Sequence, residues 1–197
     1  MKNQILTITL IITFGIFPMP LMVQAQDHDH DHSKMDMDHE LPKTASHEVD
    51  IKFKEQLNAV FQASLILNTS FFTEDITEVK KAASDVNKQI ENVDMMLLKG
   101  QAHTDWMQYL KTMNKGLEQI SIATNIAVQR SAFSEYNTGL YQSIKAFGIG
   151  EDAFYQFCPM ANNNTGAYWL SDNQEIRNPY MGEKMPSCGA VKETLNR

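Results

Sequence analysis

The sequence predicts an all-α protein: an antiparallel four-helix bundle carrying a small irregular C-terminal module that contains cysteine and methionine. Three observations predict it. Apolar residues between Val49 and Gly150 recur at steps of three and four, the spacing of one helix face. Cap and stop residues divide that stretch into four pieces with short connections, which favours antiparallel neighbours. Beyond Gly150 the period is lost, and Pro159, Pro179 and Pro186 forbid a continuous helix. The expected organisation is an export signal over 1–25, a tail over 26–48, the bundle over 49–150 and the module over 151–197.

The first segment has the three parts of a secretory signal. Lys2 is the charged start, Ile5 to Phe17 the apolar stretch, and Val23-Gln24-Ala25 a small-residue cleavage site. Thr7, Thr9 and Thr13 interrupt the apolar stretch, and Pro18 and Pro20 close it. A spanning helix needs about 20 apolar residues, so cleavage near Ala25 and no stable membrane insertion are expected. The expected compartment is the periplasm or beyond, where disulfides persist. The formal charge is -7, and removal of Lys2 with the signal makes the remainder more acidic. An acidic exported chain is a poor partner for nucleic acid or anionic membrane and attracts cations.

The tail opens Asp27-His28-Asp29-His30-Asp31-His32 and continues through Met35, Met37 and His39. It contains nothing to build a core from and is expected to remain solvated. His28, His30, His32 and His39, interleaved with aspartate, form a candidate site for a divalent metal; the plainer alternative is a solubilising tail.

In the body, Phe53, Leu57, Val60, Phe61, Leu65 and Phe72 predict a first helix over 51–69. Ile76, Val79, Ala83, Val86, Ile90, Val93 and Leu97 predict a second, capped by Thr73 or Asp75 and stopped by Gly100. Trp106, Leu110, Met113, Leu117, Ile120, Thr124 and Ala127 predict a third, from a cap at Thr104 to about Arg130. Tyr136, Leu140, Ile144 and Phe147 predict a fourth, capped by Ser134 and ended by Gly148-Ile149-Gly150. Met95, Met96, Met107 and Met113 fall at helical spacing and are expected to pack. His103, the only histidine in this stretch, is expected to be a surface or capping residue, with a role as metal ligand the lesser alternative.

The module holds the only two cysteines, Cys158 and Cys188. Cys158-Pro159-Met160 lies upstream, and Met181 and Met185-Pro186-Ser187-Cys188 lie downstream. Thiolates and thioethers are soft ligands that select Cu(I), so Cys158, Met160, Met181, Met185 and Cys188 form a candidate copper site. The alternative is a Cys158–Cys188 disulfide, which an exported chain with an even cysteine count favours. Closing a loop of about 30 residues would stabilise the fold by roughly 3 to 4 kcal/mol.

Several stretches together resemble a known family. They are Gln129-Arg130 with Phe133, Cys158-Pro159-Met160-Ala161, Trp169-Leu170-Ser171, Ile176-Arg177-Asn178-Pro179-Tyr180, Gly182, and Met185 through Cys188-Gly189. In these, from about Val49 to the C-terminus, the chain resembles the exported bacterial domain-of-unknown-function 3347 family. The resemblance implies a helical domain found alone or fused to periplasmic adaptor subunits of heavy-metal efflux pumps, and with it copper or silver handling. The chain departs from the fused form in having a long His/Asp tail and no adaptor portion.

The sequence carries no familiar enzyme motif. There is no Gly-x-Ser-x-Gly elbow, no His-Glu-x-x-His, no Glu-x-x-His for a bundle metal centre and no phosphate-cradling glycine loop. The expected function is therefore an exported metal-binding protein that sequesters or delivers copper in connection with efflux, with metal ions and an efflux-pump adaptor or other envelope protein as partners. The alternative is a disulfide-stapled interaction module without tight metal binding.

Overall fold

A computed structural model describes residues 45–195. The predicted signal and the tail histidines His28, His30, His32 and His39 lie outside the described residues. Four long helices come first: α1 (Ile51–Ser70), α2 (Ile76–Glu91), α3 (Gln101–Ile122) and α4 (Ile126–Phe147). Three short strands follow, β1 (Ala153–Cys158), β2 (Ala167–Ser171) and β3 (Ala190–Leu195). Among the described residues no helix is long and apolar enough to cross a membrane.

Helix α1 starts at Asp50, whose carboxylate accepts the Lys52 N–H. Phe53, Leu57, Val60 and Phe61 are buried as their spacing predicts. Leu67 and Phe71 then take the places expected of Leu65 and Phe72, because a face of period 3.6 drifts along six turns. Asp75 caps α2 by accepting the Thr77 N–H.

Three predicted helix limits are corrected. The second helix ends at Glu91, where the Asn92 N–H turns back to the Gln89 and Ile90 carbonyls. Met95–Leu97 forms a separate 3-10 turn capped by Asp94, so Leu97 joins the apolar row from outside α2. The break expected between about 130 and 134 lies instead at Ala123–Asn125. The Asn125 side chain accepts the Val128 N–H and starts α4, leaving Ser134 inside that helix. Likewise Thr104 lies within α3, which begins after Gly100. Gly148 ends α4 as predicted, at φ +70° and with its N–H on Ile144 C=O.

Helix α1 packs on α2, α2 on α3, α3 on α4, and α4 returns to α1 and α2, an arrangement that a four-helix bundle describes loosely. Of the four helical methionines expected to pack, only Met113 is buried; Met95, Met96 and Met107 are exposed. His47, just ahead of α1, lies against the ring of Phe147, and its Nε2 is 2.8 Å from Asp105 Oδ2.

The all-α expectation is corrected by the last third of the chain. Its core is an antiparallel sheet in the order β2-β1-β3 rather than an irregular unit. Alternation along β1 and β2 puts the Tyr155–Leu170 pair on one face and Gln156–Trp169 on the other. The first face meets α4: Asn137 Oδ1 accepts the Leu170 N–H, and the Tyr141 ring stacks on Tyr155 at 3.9 Å. Burial is continuous from Phe53 in α1 through Phe133 in α4 to Trp169 and Leu195 in the sheet, so the helices and the sheet share one core.

Arg130 fastens this assembly. From α4 its Nε donates to Pro179 C=O at 3.0 Å, one terminal nitrogen to Phe71 C=O at 3.1 Å, and both terminal nitrogens reach Glu74 at 3.3 Å. A lysine offers one ammonium in place of this fork and cannot reach all three acceptors. Arg130→Lys is expected to lower unfolding stability by about 2 kcal/mol, because it leaves part-buried carbonyls without donors. Urea unfolding of the two forms checks this.

Candidate functional site: the cysteine pair and its cover

Cys158 is the last residue of β1, pairs with Ala167 of β2 and is fully buried. Cys188 is half-buried and stands two residues ahead of β3, at the end of a turn in which its N–H meets Met185 C=O at 3.2 Å. The two sulfurs are 2.7 Å apart. Residues 30 positions apart in sequence are thus brought together by the antiparallel pairing of β1 with β3, which sets Phe157 opposite Ala190.

Residues 172–189 form a cover over the Gln156 and Trp169 face of the sheet. Gln156, buried, donates from Nε2 to Asn173 C=O at 2.9 Å and Glu175 C=O at 3.3 Å. Asn178 is the hub of the cover. Its Nδ2 donates to Cys188 C=O at 2.6 Å, its Oδ1 accepts from the Tyr180 and Met181 N–H groups, and its own N–H meets Pro186 C=O. Tyr180 packs against both Trp169 and Phe133 and donates to Tyr168 C=O. Next to Cys188, Gly189 has φ +143°, and a Cβ there would stand 2.9 Å from both Phe157 C=O and the Trp169 ring. Glycine is required where the cover crosses the tryptophan.

The cysteine pair has two chemical options. The pKa of the Cys188 thiol is pushed up, first by its hydrogen bond with Cys158, then by burial and by charge on Cys158. A second thiolate beside a first is therefore resisted unless a cation enters or the sulfurs bond. A single metal at about 2.3 Å from each sulfur would hold them nearly 4 Å apart in tetrahedral geometry and about 4.6 Å apart when collinear. The observed 2.7 Å is shorter than either and longer than the roughly 2.05 Å of a disulfide, so the two are unbonded thiols in close contact.

The methionines are distributed around this pair. Met160 and Met181 line one cavity of about 570 Å³, together with Arg130, Asn162, Asn163 and Tyr180. Neither cysteine is among the residues that line it. Met185 is exposed and linked to Cys188 through the backbone turn. Among the described residues, no group of three or more His, Cys, Asp or Glu side chains is placed to hold a metal ion. His103 is exposed on the first turn of α3, away in sequence from the sheet and its cover. Sequence reasoning missed Gln156 and Asn178 as positioning residues. The only signal was the Asn178-Pro179-Tyr180 stretch, where a buried asparagine beside a proline marks a built turn.

These features define a class: a four-helix domain bearing a small antiparallel sheet, whose cover ends at a cysteine set against the sheet's central strand. Residues 60–152, from within α1 to the edge of β1, match the family model described as "Protein of unknown function (DUF3347)", the family that the motifs resemble. The match ends before Cys158, so the cysteine module lies beyond the matched stretch. No curated protein and no solved structure matches the chain.

Proposed function

We propose that this protein is an exported metal-binding protein that sequesters copper or passes it to a heavy-metal efflux system, with a four-helix bundle as scaffold and no enzymatic activity. The observation that carries the proposal is the convergence of the only two cysteines to 2.7 Å, in a segment that also holds Met160, Met181 and Met185. Soft sulfur donors concentrated in one module suit Cu(I). The His28, His30, His32 and His39 tract adds borderline ligands suited to a weaker divalent site. In this proposal the cysteine pair is gated by redox state. Oxidised, it staples the cover to β1; reduced, it offers two thiolates that part by about 1 to 2 Å to admit the metal.

A second function is favoured by the sulfur separation itself, which suits a bond between the cysteines better than a shared metal. On that account the domain is a stapled module that docks on an envelope or efflux-pump protein without binding metal tightly.

One experiment separates the two. A thiol count on the untreated protein is followed by anaerobic Cu(I) titration of the reduced chain, of a form lacking 27–44, and of Cys158→Ser/Cys188→Ser. Copper handling predicts one tight equivalent that survives tail removal and disappears in the double variant. Tight binding that persists unchanged in the double variant refutes the cysteine site. No free thiols at the outset, together with no tight copper after reduction, selects the stapled module.

A further inference from the structure

Methionine is ordinarily among the residues most often fully buried. Here Met95, Met96, Met107, Met160 and Met185 are exposed, Met181 is partly buried, and of the methionines in the described residues only Met113 sits wholly in the core. Packing therefore does not account for most of them. Met107, 43% exposed, lies four residues after His103 on α3, and His103 is exposed as well. Residues four apart on a helix share a face, with about 5–6 Å between their Cβ atoms. The same spacing lets two histidines on one helix hold a single metal ion.

We propose that His103 and Met107 form a second soft-metal site, specific for Cu(I) or Ag(I), on the outer face of α3 and independent of the cysteine pair. One imidazole nitrogen and one thioether sulfur on nearly collinear bonds of about 2.0–2.3 Å span about 4.4 Å, which two side chains based 5–6 Å apart can bridge. Both ligands are neutral, and a nitrogen and sulfur pair of this kind suits a soft monovalent ion over Mg²⁺ or Ca²⁺, which require oxygen. Access is open, since both side chains are exposed. The site extends the proposed copper role to the helical body but does not depend on the cysteines, so the two can fail separately.

The test is Ag(I) titration of the full chain labelled with ¹³C at the methionine methyl groups, with Cys158 and Cys188 both replaced by serine so that no thiol competes. The Met107 methyl resonance is assigned by its disappearance in Met107→Leu. It is expected to shift within the first few equivalents of Ag(I), and His103→Ala should weaken that response at least tenfold. His103 and Met107 are both exposed, so neither change threatens the fold, and an unchanged helical circular dichroism spectrum verifies this. A Met107 methyl that does not move with Ag(I), or that moves at an unchanged midpoint in His103→Ala, overturns the proposal. In the second case the response is that of a lone surface thioether.

Discussion

Replacing Cys188 by alanine is expected to lower the stability of the oxidised protein by about 3 to 4 kcal/mol, the chain-entropy value for a closed loop of about 30 residues. For a domain of this size that corresponds to a fall in Tm of roughly 6 to 16 °C. The loss comes from the unfolded chain, which regains the freedom that the cross-link removed. Cys188 is half-buried, so its truncation leaves only a small void, whereas Cys158 is fully buried and its replacement adds a cavity cost. Thermal unfolding of wild type and Cys188→Ala, each with and without a dithiol reductant, checks the expectation. Reductant should bring the wild type down to the variant and leave the variant unmoved. A wild-type Tm that ignores reductant would show that the cysteines are not bonded to each other, which strengthens the metal function over the staple.

The elements most legible in the sequence are those where two independent signals agree. The start of α2 combines an apolar row with the capping Asp75, and the end of α4 combines its face with the glycine at 148. Where one signal stood against another, the structure followed the cap. Thr124 and Ala127 continue the apolar row of α3, yet Asn125 breaks the helix, because its side chain satisfies an N–H that the new helix would otherwise leave bare. The sheet was hidden for a different reason. β1 is pressed between α4 and the cover, so Ala153, Gln156 and Cys158 are buried together and the strand lacks a clean alternation. Of the candidate site, the approach of Cys158 to Cys188 was legible only in that the chain holds no other cysteine, which left a bond and a shared metal equally open. The hub role of Asn178 was not, since a hydrogen-bonding asparagine in a cover and a solvated one in a loop look alike in sequence. Exposure of Met95, Met96 and Met107 was equally invisible, because spacing on a helix does not reveal which face the neighbours cover.

The contact between α3 and α4 gives the second large effect. Gly116 of α3 faces the backbone of Tyr136, and a Cβ there would stand 2.6 Å from the Tyr136 nitrogen and 2.8 Å from its Cα. Gly139 of α4 faces back toward α3, where a Cβ would stand 2.7 Å from Tyr109 C=O and 2.9 Å from the Met113 nitrogen. The atoms met at both places are mostly backbone, which cannot move aside by changing rotamer. Alanine would improve helix propensity by about 1 kcal/mol at either position. Overpacking against fixed backbone typically costs about 1 to 3 kcal/mol and here lies at the upper end or beyond. The clash wins, so Gly116→Ala and Gly139→Ala are each expected to lose about 2 kcal/mol net, and the double variant about 4 kcal/mol, if each helix must move for its own clash. If one parting of the helices relieves both contacts, the double variant loses little more than either single one, a coupling that a double-mutant cycle reads directly. The buried side of α4 also bears Asn137 and Leu140, and Asn137 is bonded to Leu170 of β2. Parting α3 from α4 should therefore loosen the sheet as well, and urea unfolding followed both by helical circular dichroism and by Cys188 accessibility to a thiol reagent in the reduced protein should report one concerted transition. Single variants as stable as the wild type would mean that the two helices are further apart than these glycines require.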